Sequence, residues 1–145
     1  MAKPLPLARL GVVGGGQLAR MLAPACNAHH VQMTVLDPMH NSPAGQVACA
    51  QIQGALHDPA ALQTLCEQSD IVTFDLENVG ADILMILADQ GVQMVPAPAT
   101  IRLIQNKFEQ KRHYQAGGIP TAEFIDIDDD PDFAVAEAFG LPCVQ

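Results

Sequence analysis

The chain has 145 residues and is 49% hydrophobic, enough to bury a core; with no Trp and one Tyr, that core has to be aliphatic. A formal net charge of −9 leaves no basic stripe, which argues against duplex nucleic acid as a partner. No apolar run is long enough to span a bilayer, residues 1–6 do not read as a signal peptide, and Cys26, Cys49, Cys66 and Cys143 show neither a C-x-x-C pair nor zinc spacing. The expected setting is the cytoplasm, with reduced thiols that act as small buried hydrophobes.

Residues 7–13 read as a buried strand that runs into Gly14, Gly15 and Gly16, and residues 17–28 read as a helix. Pro24 lies inside that helical pattern, where a missing N–H and a steric clash predict a kink or an early break near Ala23. A second strand is expected at 31–36, closed by Asp37-Pro38, then a turn-rich stretch at 41–45 and a weaker strand at 48–53. Asp58-Pro59 is a helix start, with Asp as cap and Pro in the first helical position, and the helix should reach Gln68.

A short buried strand follows at 71–74, then the polar run Asp75-Leu76-Glu77-Asn78, a helix over 81–90 ended by Gly91, and a strand at 92–95. Pro98 opens a short helix to Ile104. Asn106 caps the next, with Glu109 at the spacing of a capping box, and Gly117-Gly118 ends it. A strand at 123–127 and a helix from Asp130-Pro131 to Gly140 complete the pattern. Residues 141–145 look like the start of another strand, so the chain is expected to be a piece of a longer protein. Strands alternate with helices and are continuously apolar, which predicts an α/β fold: an open parallel Rossmann-like sheet with helices on both faces. The expected division is a domain at 1–117 and the opening of a second at 118–145.

A strand, three glycines and a helix N-terminus together make an anion site, because free N–H groups and the positive end of the helix dipole face one point. Gly14-x-Gly16-x-x-Ala19, with Asp37 ending the second strand, fits the dinucleotide fingerprint; a tight turn without a ligand fits it too. Asp75, Glu77 and Asn78 follow a strand, where loops line the crevice of an open sheet; they suit hydroxyl or amino groups, or simply cap the next helix. Lysines on helices are mostly solvated, yet Lys107 sits at a helix N-terminus and opposes the dipole, which marks a placed charge. Asp126, Asp128, Asp130 and Glu137 mimic EF-hand spacing, but Pro131 stands where that loop needs Gly. His29-His30 reads as a loop, and neither a Ser-His-Asp nor a Cys-His arrangement stands out.

Gly14-Gly15-Gly16-Gln17-Leu18-Ala19-Arg20-Met21-Leu22 resembles the opening motif of the 5-(carboxyamino)imidazole ribonucleotide synthetases, ATP-grasp enzymes of purine synthesis. Further similar stretches follow in order. They are Val35-Leu36-Asp37-Pro38, Ser42-Pro43-Ala44 with Gln46-Val47-Ala48, and Asp70-Ile71-Val72-Thr73-Phe74 leading into Glu77-Asn78-Val79. Pro96-Ala97-Pro98, Gln105-Asn106-Lys107 with Gln110-Lys111, and Gly118-Ile119-Pro120-Thr121 complete the series. The resemblance implies a pre-ATP-grasp domain followed by the start of the central ATP-grasp domain. It implies a carbon–nitrogen ligase that uses ATP, magnesium and bicarbonate to carboxylate aminoimidazole ribonucleotide. This chain alone is expected to be inactive and to hold no tightly bound cofactor, and a homodimer is one expected assembly.

Carried over by position, Gly15, Gly16, Gln17 and Leu18 would surround the ribonucleotide phosphate, with backbone N–H groups from Gly16, Gln17 and Leu18. Glu77, with Asn78 beside it and Asp37 as a neighbour, would bind the ribonucleotide, and Lys107 would contact ATP. No catalytic residue and no metal ligand is carried over. Ala19 stands where the family commonly has Gly, Gly80 where it has Pro, and Pro24 has no counterpart. Asp75 shortens the first acid of a Glu-Phe-Glu pattern, so no role is carried onto it. The formate-dependent glycinamide ribonucleotide transformylases are the alternative within the fold. An NAD-binding domain and a non-catalytic interaction module with exposed Phe124, Phe133, Phe139 and Val144 are the alternatives outside it.

Overall fold

Continuous apolar runs pair most simply as parallel strands covered on both sides, and that is the arrangement in the computed structural model, which describes residues 8–126 and 134–139. The chain divides into two compact units, residues 1–102 and 103–145. In the first, β1 (Arg9–Val13), β2 (Gln32–Asp37), β3 (Ala50–Gln53) and β4 (Ile71–Phe74) form one sheet in the order β3-β2-β1-β4, with every pair parallel. Val13 lies opposite Leu36 on one side and Phe74 on the other, so the loops after β1, β2 and β4 leave the sheet side by side.

Helix α1 (Gln17–Ala28) covers one face. Its Ala19, Ala23 and Cys26 pack with Val12, Met33, Val35 and Ala44 in a single buried cluster. Alternation along the strands sends Val13 and Leu36 to the opposite face. There α2 (Pro59–Glu67) lies across β1, β2 and β3 and against α3 (Ala81–Asp89). Leu62 and Leu65 of α2 and Leu84 of α3 are fully buried, each contributing about 2 kcal/mol of apolar transfer. Asp58 caps α2 as expected, accepting from the N–H groups of Ala60 and Ala61 at 2.8 and 3.3 Å with Pro59 in the first turn.

Pro24 does not break α1, which runs through it to Ala28. Pro24 is on the solvent side of the helix, so the carbonyl left without its donor can turn to water. The strand expected at 92–95 reduces to one bridge, Val72 with Met94. The N–H of Val72 donates to Gln93 O and that of Val95 to Val72 O, both at 2.9 Å; Pro96 then brings no N–H to extend the ladder. The Val95–Pro96 peptide is cis. His29 ends α1 and His30 takes φ +57°, a loop pair as expected.

Helix α4 (Pro98–Gln105) ends in the second unit, which holds α5 (Lys107–Ala116) and α6 (Ala134–Phe139). Asn106 caps α5 by accepting the Glu109 N–H at 3.1 Å, while the Glu109 carboxylate faces Arg112 at 3.4 Å. Residues 123–126 are irregular rather than a strand. Phe124 is half-buried edge-on against Phe108, their ring centres 5.6 Å apart, so it is not the exposed apolar group expected; Phe139 is exposed. Ile127, Asp128, the Asp130-Pro131 helix start, Phe133, Gly140, Cys143 and the strand expected at 141–145 lie outside the described residues.

Arg9 and Asp70 clasp the entry edges of β1 and β4. The Asp70 carboxylate accepts from Arg9 Nη2 at 2.6 Å and from the Arg9 N–H at 2.8 Å. These bonds hold the Asp70 carboxyl below the usual carboxylate range, the guanidinium bond contributing most. A depressed folded-state value means the stabilisation is present above the unfolded pKa and disappears as pH falls through the folded one. We expect Asp70→Asn to reduce the loss of stability that acid causes below about pH 4, with little change at neutral pH because the pair is solvent-screened. Urea melts of both proteins across the acid range check this. Equal acid slopes would rule it out.

Burial pushes the Cys66 thiol up to about 11, with Glu67 adding to the shift, and burial also raises that of Cys26. Cys49 is exposed. Iodoacetamide near pH 8 should therefore label Cys49 in the folded protein, and Cys66 and Cys26 only after unfolding. Peptide masses after a timed reaction check the order. Cys66 labelled as fast as Cys49 would contradict it.

Candidate functional site

The chain leaves β1 for β2 and β3 on one side and returns to β4 on the other, so the topological switch lies at the exit of β1. Ligand crevices of open α/β sheets form at such a point. The glycine turn sits there. Gly14 takes φ +96°, and its N–H donates to Leu36 O at 2.8 Å. The N–H of Asp75 donates to Val13 O at 2.9 Å, and that of Ala44 to Gly15 O at 2.8 Å. The loops after β2 and β4 thus close on the turn from both sides.

A helix starts with four N–H groups that have no intrahelical acceptor. In α1 they belong to Gly16, Gln17, Leu18 and Ala19, and the first intrahelical bond is from Arg20 N–H to Gly16 O at 3.0 Å. Asp75 takes two of the four. Its Oδ2 accepts from Gly16 at 2.9 Å and its Oδ1 from Ala19 at 2.8 Å. Gly16 has no capping side chain of its own, so Asp75 caps the helix from a distant loop. The N–H groups of Gln17 and Leu18 have no acceptor among the described residues, and both side chains are exposed.

The residues singled out in the sequence converge only in part. Gly15 and Gly16, expected to face a ligand, have their N–H groups committed within the chain: Gly15 donates to Asp37 Oδ2 at 2.8 Å and Gly16 to Asp75. Asp37 Oδ1 accepts from the Met39 N–H at 2.8 Å, so this carboxylate braces the turn on both sides. Glu77, half-buried, and Asn78, exposed, lie just beyond Asp75 on the loop after β4, at the same edge of the sheet. Lys107 belongs to the second unit, where its Nζ donates to Ile104 O at 3.1 Å near the C-terminal end of α4. A cation suits those carbonyls, which accounts for a lysine at the start of α5.

The position of Asp75 after a strand placed it in the crevice as a partner for hydroxyl or amino groups, or as a cap of the helix that follows it; it caps α1 instead. Two residues of the site went unassigned in the sequence. Arg20 is one, its Nη1 donating to Pro43 O and Gln46 Oε1, both at 2.8 Å, which ties α1 to the 41–46 loop. Ser42 is fully buried within that loop, and its Oγ accepts from the Gly45 N–H at 3.1 Å. Among the described residues no group of three or more His, Cys, Asp or Glu side chains comes together as a metal would require, and no helix is long and apolar enough to cross a membrane.

Residues 7–105 match the family described as the ribonucleotide synthetase preATP-grasp domain. The N5-carboxyaminoimidazole ribonucleotide synthase of Brucella melitensis is 37% identical over 131 residues, which are 90% of this chain and 36% of that protein. A solved N5-carboxyaminoimidazole synthase from Aspergillus clavatus, in complex with ADP and the aminoimidazole ribonucleotide, superposes with a TM-score of 0.80 at 36% identity. It covers 94% of this chain and 37% of its own. A glycinamide-RNase-transformylase T from Mycobacterium tuberculosis reaches a TM-score of 0.72 at 22% identity, covering 81% of this chain and 38% of its own, a likeness of fold alone. The chain spans about a third of the length of the synthases it matches.

Proposed function

The chain belongs to the ribonucleotide synthetase preATP-grasp domain family, and from that premise we propose that it supplies the ribonucleotide-phosphate half of an ATP-dependent ligase that carboxylates aminoimidazole ribonucleotide in purine synthesis. In the longer protein, ATP would phosphorylate bicarbonate to carboxyphosphate and ADP. The ribonucleotide's amine would then take the carboxyl group, or the CO2 released from it, as phosphate leaves. Magnesium bound to ATP would neutralise charge on the transferring phosphoryl group. Residues from 118 onward are the opening of the central domain. The setting is the cytoplasm, and a homodimer is one assembly the family resemblance implies.

One observation carries this reading: two N–H groups without an acceptor among the described residues, those of Gln17 and Leu18, open α1 at the switch point of a parallel sheet. They would hold a phosphate monoester through paired hydrogen bonds, assisted by the helix dipole. Glu77, on the neighbouring loop, is an acceptor for the amine or a ribose hydroxyl, and Asn78 offers both a donor and an acceptor. Lys107 would meet ATP with its ammonium charge. The glycinamide transformylase reading is the weaker one, because that likeness extends to the fold and no further.

A titration with aminoimidazole ribonucleotide, followed by amide NMR, tests the proposal. The Gln17, Leu18 and Glu77 amides should shift and saturate. A ribonucleotide that leaves all three unmoved at millimolar concentration rules out a phosphate site formed by this chain.

A further inference from the structure

We infer that Asp75 is a specificity-determining residue at the start of α1: by claiming two of its four free donors, it fits the site to a phosphate monoester and shuts out a diphosphate. The inference rests on reading that helix start as the ribonucleotide-phosphate site. In a dinucleotide site the spaced glycines leave room for a pyrophosphate to approach the backbone. Here that room is filled from within the chain. A Cβ on Gly16 would stand 2.5 Å from Asp75 Oδ2, and one on Gly14 would stand 2.9 Å from Asp75 Cβ. Both glycines are therefore needed for the approach of Asp75.

The acid that a dinucleotide site turns toward the ribose here braces the turn: Asp37 accepts from the Gly15 N–H with one oxygen and from the Met39 N–H with the other. A monoester needs no more than the two donors left at Gln17 and Leu18. A second phosphate would need donors that Asp75 already holds, and it would bring further negative charge beside a fixed carboxylate, where repulsion acts at close range. The fingerprint in the sequence thus describes the backbone turn, and the carboxylate decides which phosphate chemistry the turn accepts.

The test compares the full chain with Asp75→Asn, which keeps an acceptor oxygen but removes the charge. Affinities for inorganic pyrophosphate, NAD and aminoimidazole ribonucleotide are measured for both proteins by calorimetry. We expect the affinity for pyrophosphate relative to the ribonucleotide to rise roughly tenfold or more in the variant. A purely structural role would weaken the ligands in parallel, so an unchanged ratio in a folded variant overturns the inference. If the variant does not fold, the wild-type amides decide. With the ribonucleotide bound, Gln17 and Leu18 should shift while Gly16 and Ala19 keep their shifts and their protection from exchange. Loss of protection at Gly16 and Ala19 would mean that the ligand displaces Asp75, and the inference falls. A ribonucleotide that binds neither protein defeats the parent reading instead. The pyrophosphate arm still reports on Asp75 in that case, a gain in the variant supporting exclusion and no gain removing it.

Discussion

Gln17→Pro is expected to weaken aminoimidazole ribonucleotide binding by roughly ten- to a hundredfold while leaving the fold about as stable as before. Gln17 is the first residue of α1, where a proline's missing N–H breaks no intrahelical bond and its fixed φ suits the helix. Gly16 before it has φ −75° and ψ −159°, the extended backbone that a residue preceding proline prefers. The substitution therefore removes one of two free donors and little else. A hydrogen bond to a charged group contributes about 1.5–3 kcal/mol, which sets the expected fold-change. Gln17→Ala is the control, because it removes the side chain and keeps the N–H. Calorimetric titration of both variants, with a thermal melt of each, makes the comparison. Wild-type affinity in Gln17→Pro, or an equal loss in Gln17→Ala, would show that the backbone donor is not what holds the phosphate.

Gly14→Ala should cost about 3 kcal/mol of folding stability, a large share of what a domain of this size possesses. Two penalties coincide at this position. A φ of +96° is strained for any residue with a Cβ. The added methyl would also stand 2.8 Å from Leu76 Cδ2 and 2.9 Å from Asp75 Cβ. Gly91 separates the two penalties, since it has φ +100° but nothing within 4 Å of an added Cβ. Gly91→Ala should show the backbone strain alone. Denaturant melts of the two variants would then differ by the crowding contribution, about 1–2 kcal/mol. Equal losses would mean that Leu76 and Asp75 yield without cost, and that the turn is less tightly packed than its distances indicate.

Much of the architecture was legible because it rests on short-range physics. Apolar runs such as 10–13 and 71–74 mark strands covered on both faces, and β1, β2 and β4 occupy nearly the stretches expected. Asp58-Pro59 and Asn106 cap helices through bonds to residues two or three positions away, distances a sequence displays directly. Pro24 was misjudged because its cost depends on which side of α1 faces water, and the packing of Ala23 and Cys26 on Met33 and Val35 decides that. The strand expected at 92–95 failed for a related reason. It falls at the sheet's edge, beside β4, where Pro96 cannot continue the ladder.

The candidate site divides along the same line. The sequence by itself determined that a strand, a glycine turn and a helix would stand in succession, and that the helix would begin with unpaired N–H groups, because glycine content and helical periodicity act over a few residues. Only the tertiary structure decided what those groups meet. Asp75 is 59 residues from Gly16 along the chain, and it reaches Gly16 and Ala19 because β4 pairs directly with β1. Asp37 reaches Gly15 because β2 pairs with β1 on the other side. Strand order is settled by the burial of whole faces rather than by any local motif, so the two acids stood out in the sequence, but which N–H groups they accept from was decided only when the sheet was assembled.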